Sequence, residues 1–367
     1  MLKRFEVENY KGFSKRLVWN LVAGEYPFNE GLVKNGIVNK AIVYGKNGVG
    51  KTSLGLALFD ITIHLTDKKR LDEKYLLNYK YLDHVNSPIT FVHVFQFADE
   101  EVVYEYRKND PDNLVSEKLT VNGKLMIDYD YSNSDRQFVS MEVKDGLSIK
   151  LQDNKLSVLK YIYRNRPTAA VPALTSLIEF CENMLWYRSL SDGNAYAGFS
   201  NGGANMVEVL YKSGRLSEFR EFLRENGIDY DLRFVPVNGI QVLMVMFKDG
   251  MTPFASIAST GTMALFLFFT WEIMAFKQVS LLFIDEFDAF LHYEASEVII
   301  KTLCKMTGFQ SVLTSHNTSL MNNRLTRPDC CYIMTDNNIS ALDKATNREL
   351  REGHNLEKLY RGGEFYG

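Results

Sequence analysis

Residues 41–65 read AIVYGKNGVGKTSLGLALFDITIHL, and no other stretch constrains the chain as tightly. A short apolar β-type run, Ala41 to Tyr44, enters a glycine-rich turn, after which Leu54, Ala57, Leu58, Ile61 and Leu65 recur at helical spacing. The turn, Gly45-Lys46-Asn47-Gly48-Val49-Gly50-Lys51-Thr52, fits GxxxxGK[ST] in full, with Ser53 following in the first helical turn. Its glycines let backbone N–H groups curl around phosphate oxygens, and the helix N-terminus presents its positive dipole end to the same oxygens. Lys51 is placed to reach the β- and γ-phosphates, and the Thr52 hydroxyl to ligate Mg²⁺. A glycine turn matching by chance would not need a strand before it and a helix after it; both are present. The expectation is a nucleoside-triphosphate site taking ATP and Mg²⁺.

Two later segments carry chemistry that such a site needs. In LLFIDEFDAFLH a buried apolar run delivers Asp285 and Glu286 at its C-terminal end. Adjacent acids after a strand are usually a solvated turn, but beside a P-loop the first acid positions the Mg²⁺ shell and the second polarises an attacking water. Thr314-Ser315-His316 follows another apolar run, Gln310 to Leu313. A lone histidine is ordinarily a surface or satisfied residue; at a strand end beside the phosphates, His316 would contact the γ-phosphate and hold the water.

Bulk properties narrow the classes. With 367 residues, 46% hydrophobic and 24% charged, the chain has apolar material for a large core. Its net charge of -3 shows none of the basic excess of a dedicated nucleic-acid binder. Cys181, Cys304, Cys330 and Cys331 lack CxxC pairing, so reduced structural thiols are expected rather than a disulfide framework or a zinc site. The N-terminal MLKRFEVENYKGF has no secretory pattern. Met263 to Ile284 is strongly apolar but is broken by Glu272, Lys277, Gln278 and Ser280, and reads as a buried helix and a buried strand, each too short for about 30 Å of hydrocarbon. A cytoplasmic protein with no membrane partner is expected.

Along the chain, ITFVHVFQF, VVYEYRK, KLTVNGKLMIDYDY and SMEVKDGLSIKL (residues 89–151) read as antiparallel strands. From Leu156 to about Glu225 the pattern reads as helical, including PALTSLIEFCENMLWYRSL and LSEFREFLREN, and strand character returns at 232–248. The division expected is an N-terminal lobe (1–151), a helical insertion lobe (152–231) and a C-terminal lobe (232–367). Trp186, Tyr187, Phe219, Phe222 and neighbouring arginines in the insertion suggest either its own core or a protein-binding surface.

Taken in order, these motifs resemble the ABC-type ATPases of the SMC, RecF and OLD group, especially single-chain bacterial AAA-family ATPases of phage-defence loci. FEVENYKGF is similar to that group's first strand and nucleotide-contacting turn, GKNGVGKT to its Walker A, and DEFDAFLH to its Walker B with a following histidine. TSHNTSLMN is similar to its switch-histidine segment, and Ala258-Ser259-Thr260-Gly261-Thr262 to a variant of its signature, with Thr260 in place of one glycine. The resemblance implies an α/β fold, a P-loop ABC-type ATPase head with an antiparallel β subdomain and a helical insertion lobe. It implies an ATP-dependent homodimer in which Ser259 and Gly261 complete the site of the partner's Lys51; residues alone would read the same segment as a helix cap. It also implies a glutamine at the metal, for which Gln152 is preferred to Gln96. No coiled coil of SMC length and no OLD-type nuclease cluster is present in the sequence. The expected role is ATP hydrolysis that controls a separate effector, a nuclease or toxin; the alternative is a RecF-like dimer that clamps DNA.

Overall fold

The computed structural model describes residues 1–144, 146–149, 151, 153–166, 171–190, 194–199 and 204–365. Two seven-stranded sheets dominate it. The first is antiparallel, in the order Gln137–Val139, Lys124–Asp130, Leu114–Val121, Glu100–Lys108, Ile89–Phe97, Leu2–Glu8, Leu17–Asn20. Period-two burial along Glu100–Lys108 turns Val102, Tyr104 and Tyr106 inward, as alternation in the sequence predicts. Among the described residues of SMEVKDGLSIKL no strand forms: the Ser140 carbonyl accepts from the Val143 and Lys144 amides, and Met141–Lys144 closes into a helical turn.

The second sheet runs Tyr196–Ala197, Met184–Arg188, Leu281–Asp285, Gln310–Ser315, Lys40–Tyr44, Cys331–Thr335, Asn338–Ala341. Its five inner strands are parallel and its two edges antiparallel. Lys40–Tyr44, Leu281–Asp285 and Gln310–Ser315 are buried at every position, which is why they read as continuous apolar runs rather than alternating ones. This sheet separates two cores. Val43, Trp186, Phe283 and Val312 face one core, shared with the antiparallel sheet; Ile42, Tyr187, Ile284 and Leu313 face the other, under the C-terminal helices.

Between the two halves lie the helices Val158–Asn165, Pro172–Glu182, Met206–Ser213 and Leu216–Glu225. Met184–Arg188, expected to continue a helix, is instead a strand paired with Leu281–Asp285 in register Arg188↔Asp285. Four apolar residues and an arginine do not distinguish helix from buried strand, and here burial on both faces decides it. Trp186, Tyr187, Phe219 and Phe222 are all buried, so they build core and present no surface to a partner. Met263–Ile284 divides as expected into the helix Thr260–Met274 and the strand Leu281–Asp285. No helix among the described residues is long and apolar enough to cross a membrane. A small antiparallel sheet, Leu232–Val237, Ile240–Phe247 and Gly250–Pro253, precedes that helix, and its first turn is built on Asn238 and Gly239 at positive φ.

Candidate active site

The C-terminal ends of four adjacent parallel strands converge on one edge of the second sheet. In order these are Met184–Arg188, Leu281–Asp285, Gln310–Ser315 and Lys40–Tyr44. The histidine strand therefore lies between the P-loop strand and the acid strand. Beyond Tyr44 the chain turns through Gly45–Gly50 into the helix Lys51–Phe59. Gly50 has φ 102, a conformation that side chains rarely adopt, and a Cβ there would lie 3.0 Å from the ring of Phe13. Phe13 comes from the turn of the opening FEVENYKGF segment, where Asn9 and Lys11 have positive φ and Tyr10 bridges to Phe13. That turn is thus packed against the P-loop. Lys46, Asn47 and Gly48 are exposed at the loop tip, with Val49 and Ser53 partly covered.

Lys51 is buried, and its ammonium donates to the carbonyls of Gly45 (2.7 Å) and Lys46 (3.0 Å) and lies 3.2 Å from His316 Nδ1. Burial lowers its pKa to about 8, against the opposing pull of Asp285, Glu286 and Asp288. Burial and the neighbouring ammonium also push the His316 imidazole down, so it is neutral at neutral pH. The Thr52 hydroxyl donates to Asp285 Oδ2 at 2.8 Å, and the Thr314 hydroxyl to Asp285 Oδ1 at 2.8 Å. Thr314 in turn accepts the Glu286 amide at 2.7 Å. Asp285 is fully buried, and desolvation raises its carboxyl pKa while these hydroxyls and Arg188 oppose the shift.

Glu286 has φ 50, a left-handed conformation costing a non-glycine residue roughly 1–2 kcal/mol. The turn is held there by its amide on Thr314 and by the Phe287 amide on the Thr314 carbonyl. Two guanidinium nitrogens of Arg188, Nη2 at 2.6 Å and Nε at 3.2 Å, donate to Glu286 Oε2. Arg188 Nε also lies 3.6 Å from Asp285 Oδ2. Asp288 accepts from the Ser315 hydroxyl at 2.6 Å.

Three motifs far apart in sequence thus form one hydrogen-bonded cluster at the end of a parallel sheet. Residues 40–322, well over half of the chain, match the family model described as "AAA domain, putative AbiEii toxin, Type IV TA system". The chain belongs to this AAA-domain family. Its α/β fold, with an antiparallel sheet beside a mainly parallel P-loop sheet, is the one expected from its motifs. No curated protein matches the sequence. Among solved structures it is similar to an SMC head bound to the C-terminal winged-helix domain of ScpA (14% identity, 92% of this chain and 96% of that one, TM-score 0.44). It is also similar to the SMC head domain from Thermotoga maritima (13%, 93% and 98%, 0.43). A third is a Pyrococcus furiosus SMC head with an extended coiled coil bound to the C-terminal domain of ScpA (12%, 92% and 95%, 0.44).

In this member of the AAA-domain family Ser259, Gly261 and Gln96 have other partners. Ser259 caps the helix Thr260–Met274, its Oγ accepting from the Thr262 amide at 3.1 Å. A Cβ on Gly261 would lie 2.7 Å from the Phe290 carbonyl, so the start of that helix rests on the turn after the acids. Their partners are Thr262 and Phe290, not the P-loop. Gln152 lies outside the described residues. Gln96 ends the strand Ile89–Phe97 and donates to the Ala98 carbonyl at 2.9 Å, away from the acids.

The residues present fit a magnesium nucleotide. Thr52 and the buried Asp285 offer two oxygen ligands 2.8 Å apart, which leaves the remaining octahedral positions to phosphate oxygens and water. No group of three or more His, Cys, Asp or Glu among the described residues forms a metal cage of protein ligands alone. Sequence reasoning missed Arg188, and it gave Thr314, Ser315 and Asp288 no role. The arginine follows a four-residue apolar run, a signal readable only once that run is known to be a strand.

Proposed function

We propose that the chain binds ATP with Mg²⁺ at the P-loop and hydrolyses it, and that the nucleotide state controls a separate effector, a nuclease or toxin, in bacterial defence against phage. The observation that carries the chemistry is the Thr52–Asp285 hydrogen bond, which brings the P-loop helix and the acid strand to one buried point. Lys51 supplies positive charge at the loop, and Thr52 with Asp285 orients the metal ligands. Glu286 takes the proton of the attacking water, and the neutral His316 beside Lys51 holds that water. Bound Mg²⁺ neutralises charge developing on the phosphate oxygens. Ser259 and Gly261, at a helix start whose contacts are with Thr262 and Phe290, complete the site of a second copy in an ATP-dependent homodimer.

The effector role is supported by the toxin–antitoxin description of the family and by the absence of basic excess in a chain of net charge -3. In this reading residues 1–151 and 232–367 form the ATPase together with the strand Met184–Arg188, which comes from the insertion, residues 152–231, and the protein works in the cytoplasm. The test measures nucleotide binding and phosphate release on purified protein. Lys51→Ala abolishes binding; Glu286→Gln keeps binding and slows release by about 10²-fold or more. Unchanged release from the Glu286 variant removes it from the role of base. Co-purification of a protein encoded beside the gene supports the effector role, whereas retention of DNA with no protein replaces it with the DNA clamp.

A further inference from the structure

Arg188 has no place in the chemistry above, yet it touches both acids. It ends the strand next to the acid strand, in register with Asp285, and three strand spacings, about 14 Å, separate its strand from the P-loop strand. Lys51 thus enters the site from one side and Arg188 from the other, with Asp285 and Glu286 between them. Both Arg188 and Glu286 are part-exposed, at 22% and 25%, so their ion pair stands at the mouth of the site. Asp285 already has two hydroxyl donors, Thr52 and Thr314. The two guanidinium nitrogens closest to the acids converge instead on one oxygen of Glu286.

That oxygen already accepts two N–H donors, which holds the carboxylate on the arginine side of the site. The guanidinium is also the side chain best shaped for a terminal phosphate, whose oxygens it engages in pairs. Glu286 and a terminal phosphate therefore compete for one group. We propose that Arg188 is a positioning residue shared between them. Paired with Glu286, it keeps that carboxylate from acting as base; turned to the γ-phosphate, it distinguishes triphosphate from diphosphate and releases Glu286 toward the water. This rests on the nucleotide-site reading above.

The test is nucleotide affinity without turnover, measured on the full chain with ADP and with a non-hydrolysable triphosphate analogue. Arg188→Gln weakens analogue binding tenfold or more and changes ADP binding less than twofold. Glu286→Gln, which removes the competing charge, tightens analogue binding several-fold and leaves ADP unchanged; in the Arg188→Gln background it has no such effect. Arg188→Lys keeps a cation beside the buried Asp285 and so preserves the fold, and it too loses analogue affinity selectively because it lacks the paired donors. Equal weakening for both nucleotides, or no weakening, overturns the proposal, as does a Glu286→Gln effect that persists without Arg188. Failure of the unaltered chain to bind either nucleotide overturns the nucleotide-site reading itself.

Discussion

Lys51, at 5% exposure, has carbonyl partners for its ammonium and, among the described residues, no carboxylate in direct contact. Desolvation lowers its pKa from 10.5 to about 8, and Lys40, buried at the start of the strand before the P-loop, is lowered to about 8 for the same reason. Above pH 8 the folded chain releases these protons, while the unfolded chain holds them to about pH 10.5. The unfolded state binds more protons across that window, so stability gains from these groups as pH rises through it. Nucleotide binding runs the other way. Phosphate oxygens favour the charged ammonium, so binding at pH 8.5 takes up a proton and at pH 7 takes up little. Calorimetry in two buffers of different ionisation heat checks this; uptake near zero at pH 8.5 means that Lys51 is already charged. At this scale the P-loop and the acids were legible because each is a contiguous motif. Arg188 was not, since its partner Glu286 lies 98 residues away.

The P-loop helix Lys51–Phe59 lies against the acid strand and the Met184–Arg188 strand, and Gly55 is where it comes closest. A Cβ there would stand 2.6 Å from the Phe283 ring and 2.9 Å from Trp186 Nε1. Gly55→Ala gains helix propensity of about 1 kcal/mol but overpacks two rigid rings, which costs about 1–3 kcal/mol. We expect a net loss of stability, seen as a lower Tm together with weaker nucleotide binding, because the clash pushes the helix carrying Thr52 away from Asp285. An unchanged Tm and unchanged affinity would show that the rings move aside. Elements with a clear period were readable: the alternating strands at 89–130 and the apolar strands at 40–44, 281–285 and 310–315 all form. Those that failed, Met184–Arg188 and Met141–Lys144, are four or five residues long, where local pattern yields to tertiary pairing or to a single turn.

For the whole molecule, the ATP-dependent pair predicts complementation. When Lys51→Ala protein is mixed with Ser259→Arg protein, each heterodimer has one site with both lesions and one intact site. With free exchange and independent sites, about a quarter of wild-type ATPase activity returns at equal mixing. No recovery at any ratio, with both variants folded and shown to exchange, argues for sites complete within one chain. What the sequence could not reveal here is spatial order. Strand Gln310–Ser315 slots between the P-loop strand and the acid strand, although its residues follow both.

That order also governs how the molecule comes into being. Strand Lys40–Tyr44 is made long before either of its neighbours, Gln310–Ser315 and Cys331–Thr335, which follow it by roughly 270 residues or more. At roughly 5–20 residues per second, the delay is on the order of tens of seconds. Meanwhile the antiparallel sheet of residues 2–139 has all its partners and can close, and the apolar AIVY segment waits unpaired, a template for wrong pairing. A chain cut short before residue 335 therefore carries the complete phosphate-loop sequence and no assembled cradle, and the nucleotide has nothing to grip until those later strands are made.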